Sequence, residues 1–147
     1  MMRPLIIGMN NPVSTKPEHA LYPYPPGCAG YRLWRMVDAV APMTKHEYLE
    51  VFDRRNLVVG EWSMLAAREA AAVLWAEAGP SGAPFVLLGK SVAQAFDLGK
   101  VPLGGFARHA GVKFHVVGHP SGRSTWYNDA ANREATGRLL AGLAGRI

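Results

Sequence analysis

Two short segments of this chain carry residue types that chemistry needs. The first is Gly8-Met9-Asn10-Asn11-Pro12, and the second is Gly118-His119-Pro120-Ser121-Gly122-Arg123-Ser124. A carboxamide held at the end of a strand can orient a water, and its carbonyl oxygen can stabilise developing positive charge. It is no strong general base at neutral pH. His119 stands between an apolar run and a proline, so its ring has little freedom. A neutral imidazole there can donate a hydrogen bond to an oxygen that gains negative charge. The Ser121 hydroxyl and the backbone N–H groups around Gly122 suit a phosphate oxygen, and Arg123 suits a phosphate or a gap in a base stack. A third segment, Tyr22-Pro23-Tyr24-Pro25-Pro26, is stiffened by prolines and presents tyrosine rings as stacking platforms. The plainer readings are an Asn-Pro turn, a His-Pro turn with a surface arginine, and a proline-rich loop whose tyrosines cover the core.

Something must bring these segments together. Four apolar runs, at 5–8, 57–60, 85–89 and 112–118, are short, rich in Val, Ile, Leu and Phe, and end at glycine. Such runs are expected of strands buried on both faces of a parallel sheet. Helical patterns lie between and after them. Residues 31–40 put Leu33, Trp34 and Val37 on one stripe. Thr44-Lys45-His46-Glu47 is a capping box ahead of Tyr48, Val51 and Phe52. Residues 63–78 are alanine-rich and stop at Gly79-Pro80, residues 91–98 predict a shorter helix, and residues 128–146 predict a helix with Leu139, Leu140, Leu143 and Ile147 on one face. Alternation of this kind predicts a single α/β domain over residues 1–147 with a central parallel sheet. The first and last strands then exit on one edge of the sheet, where ligands bind.

Composition narrows the rest. A chain of 147 residues buries a real core without disulfides. Hydrophobic residues at 49% against charged residues at 18% argue against disorder and against a coiled coil. The single cysteine, Cys28, excludes a disulfide framework and a four-cysteine zinc site. It fits a reducing, cytoplasmic setting, and no secretion signal or membrane span is expected. A formal net charge of +5 and a pI near 9.7 lean toward a polyanionic partner.

Taken in order, these residues resemble the uracil-DNA glycosylase superfamily, most of all its mismatch-specific (thymine/uracil) branch. The first family motif, Gly-x-Asn-Pro-Gly, is matched by Gly8-Met9-Asn10-Asn11-Pro12 with one extra asparagine. The second, His/Asn-Pro-Ser-Gly/Pro followed by a wedge residue, is matched by His119-Pro120-Ser121-Gly122-Arg123-Ser124. Between them Tyr22-Pro23-Tyr24, Tyr31-Arg32-Leu33-Trp34, Arg55-Asn56-Leu57-Val58 and Phe85-Val86-Leu87-Leu88-Gly89-Lys90-Ser91 follow in family order. The resemblance implies a three-layer α/β/α fold around a four-stranded parallel sheet. It implies hydrolysis of the N-glycosidic bond of a uracil, or a related modified or mismatched pyrimidine, flipped out of DNA. DNA, double- or single-stranded, is then the partner. The resemblance further implies a cytoplasmic, nucleoid-associated monomer, and no cofactor, no metal and no membrane.

By the same resemblance, Asn10 or Asn11 positions the hydrolytic water. Counting from Gly8 favours Asn10, and counting back from Pro12 favours Asn11. Tyr24 stacks on the base with Tyr22 in reserve, and Met9 borders the pocket. Asn56 reads the pyrimidine edge, although an asparagine just ahead of a strand also suits a helix C-cap. His119 holds the base oxygen that turns negative. Pro120, Ser121, Gly122 and Ser124 contact the DNA backbone, and Arg123 fills the gap left in the duplex. The chain departs from the pattern in two places: no aspartate stands in the first motif, and Val13 replaces the glycine after the proline. The first departure implies a slow, asparagine-type enzyme. The competing readings are a weak or inactive module of the same fold that binds DNA, a modified base or a nucleotide, and an N-glycosidase acting on free nucleosides.

Overall fold

The computed structural model describes residues 2–11, 14, 16–121 and 124–147. Its elements run β1 (Leu5–Asn11), α1 (Ala29–Val40), α2 (Lys45–Val51), β2 (Asp53–Val59), α3 (Met64–Ala78), β3 (Phe85–Leu88), α4 (Lys90–Ala95), β4 (Phe106–His109), β5 (Val112–Val117) and α5 (Ala130–Leu143). The sheet has five strands in the order β2-β1-β3-β5-β4. Four are parallel, and β4 pairs antiparallel with β5.

The four-strand expectation therefore misses β4. Its Phe106-Ala107-Arg108-His109 is almost wholly solvent-facing, so no buried alternation marks it. Its turn, Ala110-Gly111, has positive φ at both residues (48° and 81°) without the asparagine or aspartate that usually announces such a hairpin.

Burial on both faces explains the apolar runs. Leu5, Ile7, Phe85, Leu87, Phe114 and Val116 face one cluster, which α3 and α4 cover. Ile6, Val86, Leu88 and Val117 face a second cluster, which α1, α2 and α5 cover. That is a three-layer α/β/α arrangement. The Thr44 capping box forms as expected, with the Glu47 N–H donating to Thr44 Oγ1 and the Thr44 N–H donating to Glu47 Oε1, both at 3.0 Å. Ile147, expected on the buried face of the last helix, lies beyond it and is 63% exposed.

The sheet also buries a histidine. His115 of β5 is 9% exposed, and burial, with repulsion from Lys113 and Arg108 behind it, pushes its pKa down to about 4. The unfolded chain takes up a proton near pH 6.5 that the folded chain refuses. Stability from this residue is thus full above pH 6.5 and is lost as pH falls toward 4, by about 3 kcal/mol. Thermal melts from pH 7 to 4 are expected to show a falling midpoint in the wild type and a shallower fall in His115→Gln. Equal slopes would assign the acid sensitivity elsewhere.

Candidate functional site at the carboxyl edge of the sheet

The strand order reverses at β1. The chain steps to β2 on one side and to β3 on the other. In an open α/β sheet this switch point leaves a crevice outside the carboxyl ends of the strands. Register then decides what borders it. Ile7 is level with Leu87, and Leu88 is level with Val117. β3 ends there, whereas β1 runs on to Asn11. Gly89, at φ 103°, turns the chain into α4, and its N–H donates to Val117 O at 2.7 Å. A side chain at Gly89 would stand 3.5 Å from His119 Cβ. Asn10 and His119 thus flank a short central strand, two strand spacings apart, or about 10 Å.

Gly8, Met9, Asn10 and Asn11 of the first motif are strand residues and not loop residues. β2 starts at Asp53 and stays paired with β1 throughout, so Gly8 is level with Asn56, Asn10 with Val58 and Asn11 with Val59. Asn56 is therefore a strand residue, and the C-cap of α2 is Phe52. The polar start of β2, Asp53-Arg54-Arg55-Asn56, is at home on an edge strand but hides it from an apolar pattern. A Cβ at Gly8 would lie 2.7 Å from Asn56 Oδ1, so the absence of a side chain there lets the Asn56 amide lean across β1. Strand alternation places Gly8 and Asn10 on the face of Ile6, toward α1. Met9 lies on the other face, packed against the cluster beneath α3 and α4.

The two asparagines are held differently. Asn10 Nδ2 donates to Gly60 O at 2.7 Å, which turns its Oδ1 away from β2. Asn11 Oδ1 accepts the Ser14 N–H at 3.0 Å, so its oxygen is tied to its own chain three residues on. Ser14 Oγ in turn lies 2.9 Å from His19 Nδ1.

The tyrosine segment is pinned from three sides. Arg54 of β2 donates to Ala20 O at 2.6 Å, Tyr48 of α2 donates its hydroxyl to Leu21 O at 2.9 Å, and the Cys28 thiol donates to Tyr22 O at 3.4 Å. Gly30 of α1 abuts the Leu21 and Tyr22 carbonyls so closely that no side chain fits. Leu21 holds φ 51°, a left-handed conformation that leucine seldom adopts and that these contacts impose. Tyr22 and Tyr24 are left 44% and 61% exposed. The Tyr24 ring also shares Lys45 Nζ, 5.3 Å from its centroid, with Tyr31 and Trp34.

At the other wall, His119 is half-buried, and desolvation holds its pKa below the ordinary histidine value, which favours the neutral ring. The loop behind it is anchored by Tyr127, whose hydroxyl donates to Gly118 O at 2.8 Å, and by the Trp126 ring packed over Gly118. Pro120 is buried, and Ser121 O accepts the Ser124 N–H at 3.2 Å. The assignments to Gly122 and Arg123, and the Pro12 and Val13 positions, lie outside the described residues.

The carriers of position that sequence reading missed are Tyr48, Arg54, Gly30, His19 and Ser14. Tyr48 reads as one apolar helix residue, and Arg54 as a surface charge; only tertiary structure shows them holding residues 20–22. A surface concavity of about 920 Å³ is lined by Pro120 and Ser124 but not by Asn10, Asn56 or His119. It lies between α1 and α5. Among the described residues no three of His, Cys, Asp or Glu gather to hold a metal ion, and no helix is long and apolar enough to cross a membrane. The sequence matches no family model, and no curated protein matches it significantly.

Proposed function

We propose that this chain is a monofunctional DNA glycosylase that hydrolyses the N-glycosidic bond of a flipped-out uracil or related pyrimidine. What supports the reading is that an immobilised amide, Asn10, and a half-buried imidazole, His119, stand beyond β1 and β5, the two strands that flank the short central β3. Bond cleavage leaves positive charge on the sugar and negative charge on the departing base. Asn10 Oδ1 faces the cationic side and holds the water that adds to C1′. The water's hydroxyl stays on the sugar, and its proton passes to solvent. The neutral ring of His119 donates to the base oxygen as it gains charge, without needing a proton to be lost first. Asn10 is preferred to Asn11 for the water because it shares a face with Asn56, whereas the Asn11 oxygen is taken by the Ser14 N–H.

Asn56 offers one acceptor and one donor, the pair that a pyrimidine carbonyl and ring N–H require. Tyr22 and Tyr24 offer the exposed rings for stacking, with Met9 on the far side of β1. Pro120, Ser121, Gly122 and Ser124 meet backbone phosphates, and Arg123 fills the vacated stack. DNA is the partner, the molecule acts as a monomer in the cytoplasm, and no cofactor takes part. The fold is read as that of the uracil-DNA glycosylases, their four parallel strands being β2, β1, β3 and β5.

A labelled duplex with one G·U pair, incubated with excess protein and then treated with alkali, tests the reading. Strand scission at the uracil is expected. Intact strands with uracil, thymine and modified pyrimidines would refute it. Salt-sensitive binding without scission would point to the inactive module, and release from free nucleosides alone would point to a nucleosidase.

A further inference from the structure

The concavity between α1 and α5 has a chemistry of its own. Among the described residues four arginines line it, Arg32 and Arg35 from α1 and Arg133 and Arg138 from α5, against one side-chain carboxylate, Glu134. All five side chains belong to exposed residues. Glu134 already has a partner, since Arg138 donates to its Oε1 at 3.2 Å. The Arg32 and Arg133 guanidiniums are steadied by the Gly27 and Tyr127 carbonyls, and Arg35 lies over the Tyr31 ring, 5.9 Å from its centroid. Among the described residues none of these three faces a carboxylate in an ion pair. The floor is set by a close helix crossing, because Gly137 of α5 rests on the Met36 carbonyl of α1 with no room for a side chain.

Position matters as much as charge. Both helices begin at the carboxyl edge of the sheet, and Pro120 and Ser124 of the His119 loop form the upper end of the same concavity. The groove therefore continues from the candidate site down the outer face of the molecule. Twelve residues of α1 at 1.5 Å each span about 18 Å, room for about five phosphates at the rise of one DNA strand.

We propose that this arginine groove is the path of one phosphodiester strand, carrying substrate DNA away from the base pocket. The identity of the polyanion rests on the glycosylase reading; the groove and its charge do not. The groove supplies affinity without sequence information, because guanidiniums on phosphates position a strand and read no base.

The test is fluorescence anisotropy of a labelled G·U duplex over a series of NaCl concentrations, with base release measured separately under excess protein. In Arg35→Gln/Arg138→Gln, affinity at low salt is expected to fall roughly tenfold, and the slope of log affinity against log salt is expected to shrink by about two. Arg35→Gln alone is expected to give about half that change, which keeps the test open if the double variant folds poorly. Arg68→Gln/Arg108→Gln makes the same charge change on exposed residues of α3 and β4 and is expected to keep the wild-type slope. An unchanged slope in the groove variants, or an equal loss in the α3/β4 variant, overturns the proposal. A reduced slope with no base release by the wild type leaves the groove standing and removes the glycosylase reading. Base release with an unaltered slope does the reverse.

Discussion

Replacing Asn10 and Asn11 together by alanine, or His119 alone, is expected to slow base release from a G·U duplex by two or more decades. On the glycosylase reading each change removes an electrostatic partner of the transition state, and loss of one such partner typically costs about a hundredfold to a thousandfold. The single variants divide the work. Asn10→Ala is expected to carry most of the loss, because its amide is fixed by Gly60 and shares a face with Asn56. Asn11→Ala is expected to act through the bond its oxygen accepts from the Ser14 N–H, and so to lower stability more than rate. Single-turnover rates and thermal melts of the four variants separate the two effects. Equal rates in wild type and His119→Ala would remove the imidazole from the chemistry.

Gly137→Leu is expected to destabilise the fold by about 3 kcal/mol or more, since overpacking alone typically costs 1–3 kcal/mol and here the obstacle is backbone. Gly137 sits inside α5, buried between Thr136 and Arg138, and its neighbour across the contact is the Met36 carbonyl of α1. Glycine in a helix interior costs about 1 kcal/mol relative to alanine, so close approach of the helices is what it gives in return. A larger side chain must drive α1 from α5, which disturbs the packing of Leu33, Val37 and Leu140 and widens the arginine groove. Calorimetry is expected to show a midpoint lowered by roughly ten degrees. An unchanged midpoint would mean that the helices have slack at this crossing.

Much of the scaffold is legible in the sequence because burial on two faces leaves a simple signature. The runs around Ile6, Val86 and Val116 could satisfy their pattern only as central strands, and the Thr44–Glu47 reciprocity announces a helix start wherever it occurs. Elements with weak burial are harder to read. β4 shows solvent an exposed phenylalanine and arginine, and β2 opens with four polar residues because an edge strand needs to bury only part of itself. The same effect hid the true length of β1, whose Met9, Asn10 and Asn11 are strand residues only because Val58 and Val59 lie beside them.

The site divides along similar lines. Asn10, Asn11 and His119 stand out as polar residues beside apolar strands, and the topology brings both strand ends to one edge. The supports for residues 20–22 were invisible, because Arg54 and Tyr48 reach them across 34 and 27 residues of chain. The arginine groove was equally hidden. Arg32 and Arg35 read as an ordinary solvated helix face until α5 brings Arg133 and Arg138 alongside.

Whether one lesion touches both walls of the crevice can be read directly by NMR. The protein, labelled with ¹⁵N and ¹³C, is titrated with a duplex carrying a 2′-fluorinated, uncleavable deoxyuridine opposite guanine. The side-chain amide of Asn10 and the ring carbons of His119 are expected to shift together, saturating at one equivalent, while an unmodified duplex moves neither. Perturbation of only one of the two groups, or the same response to undamaged DNA, would contradict a shared base-excision cleft.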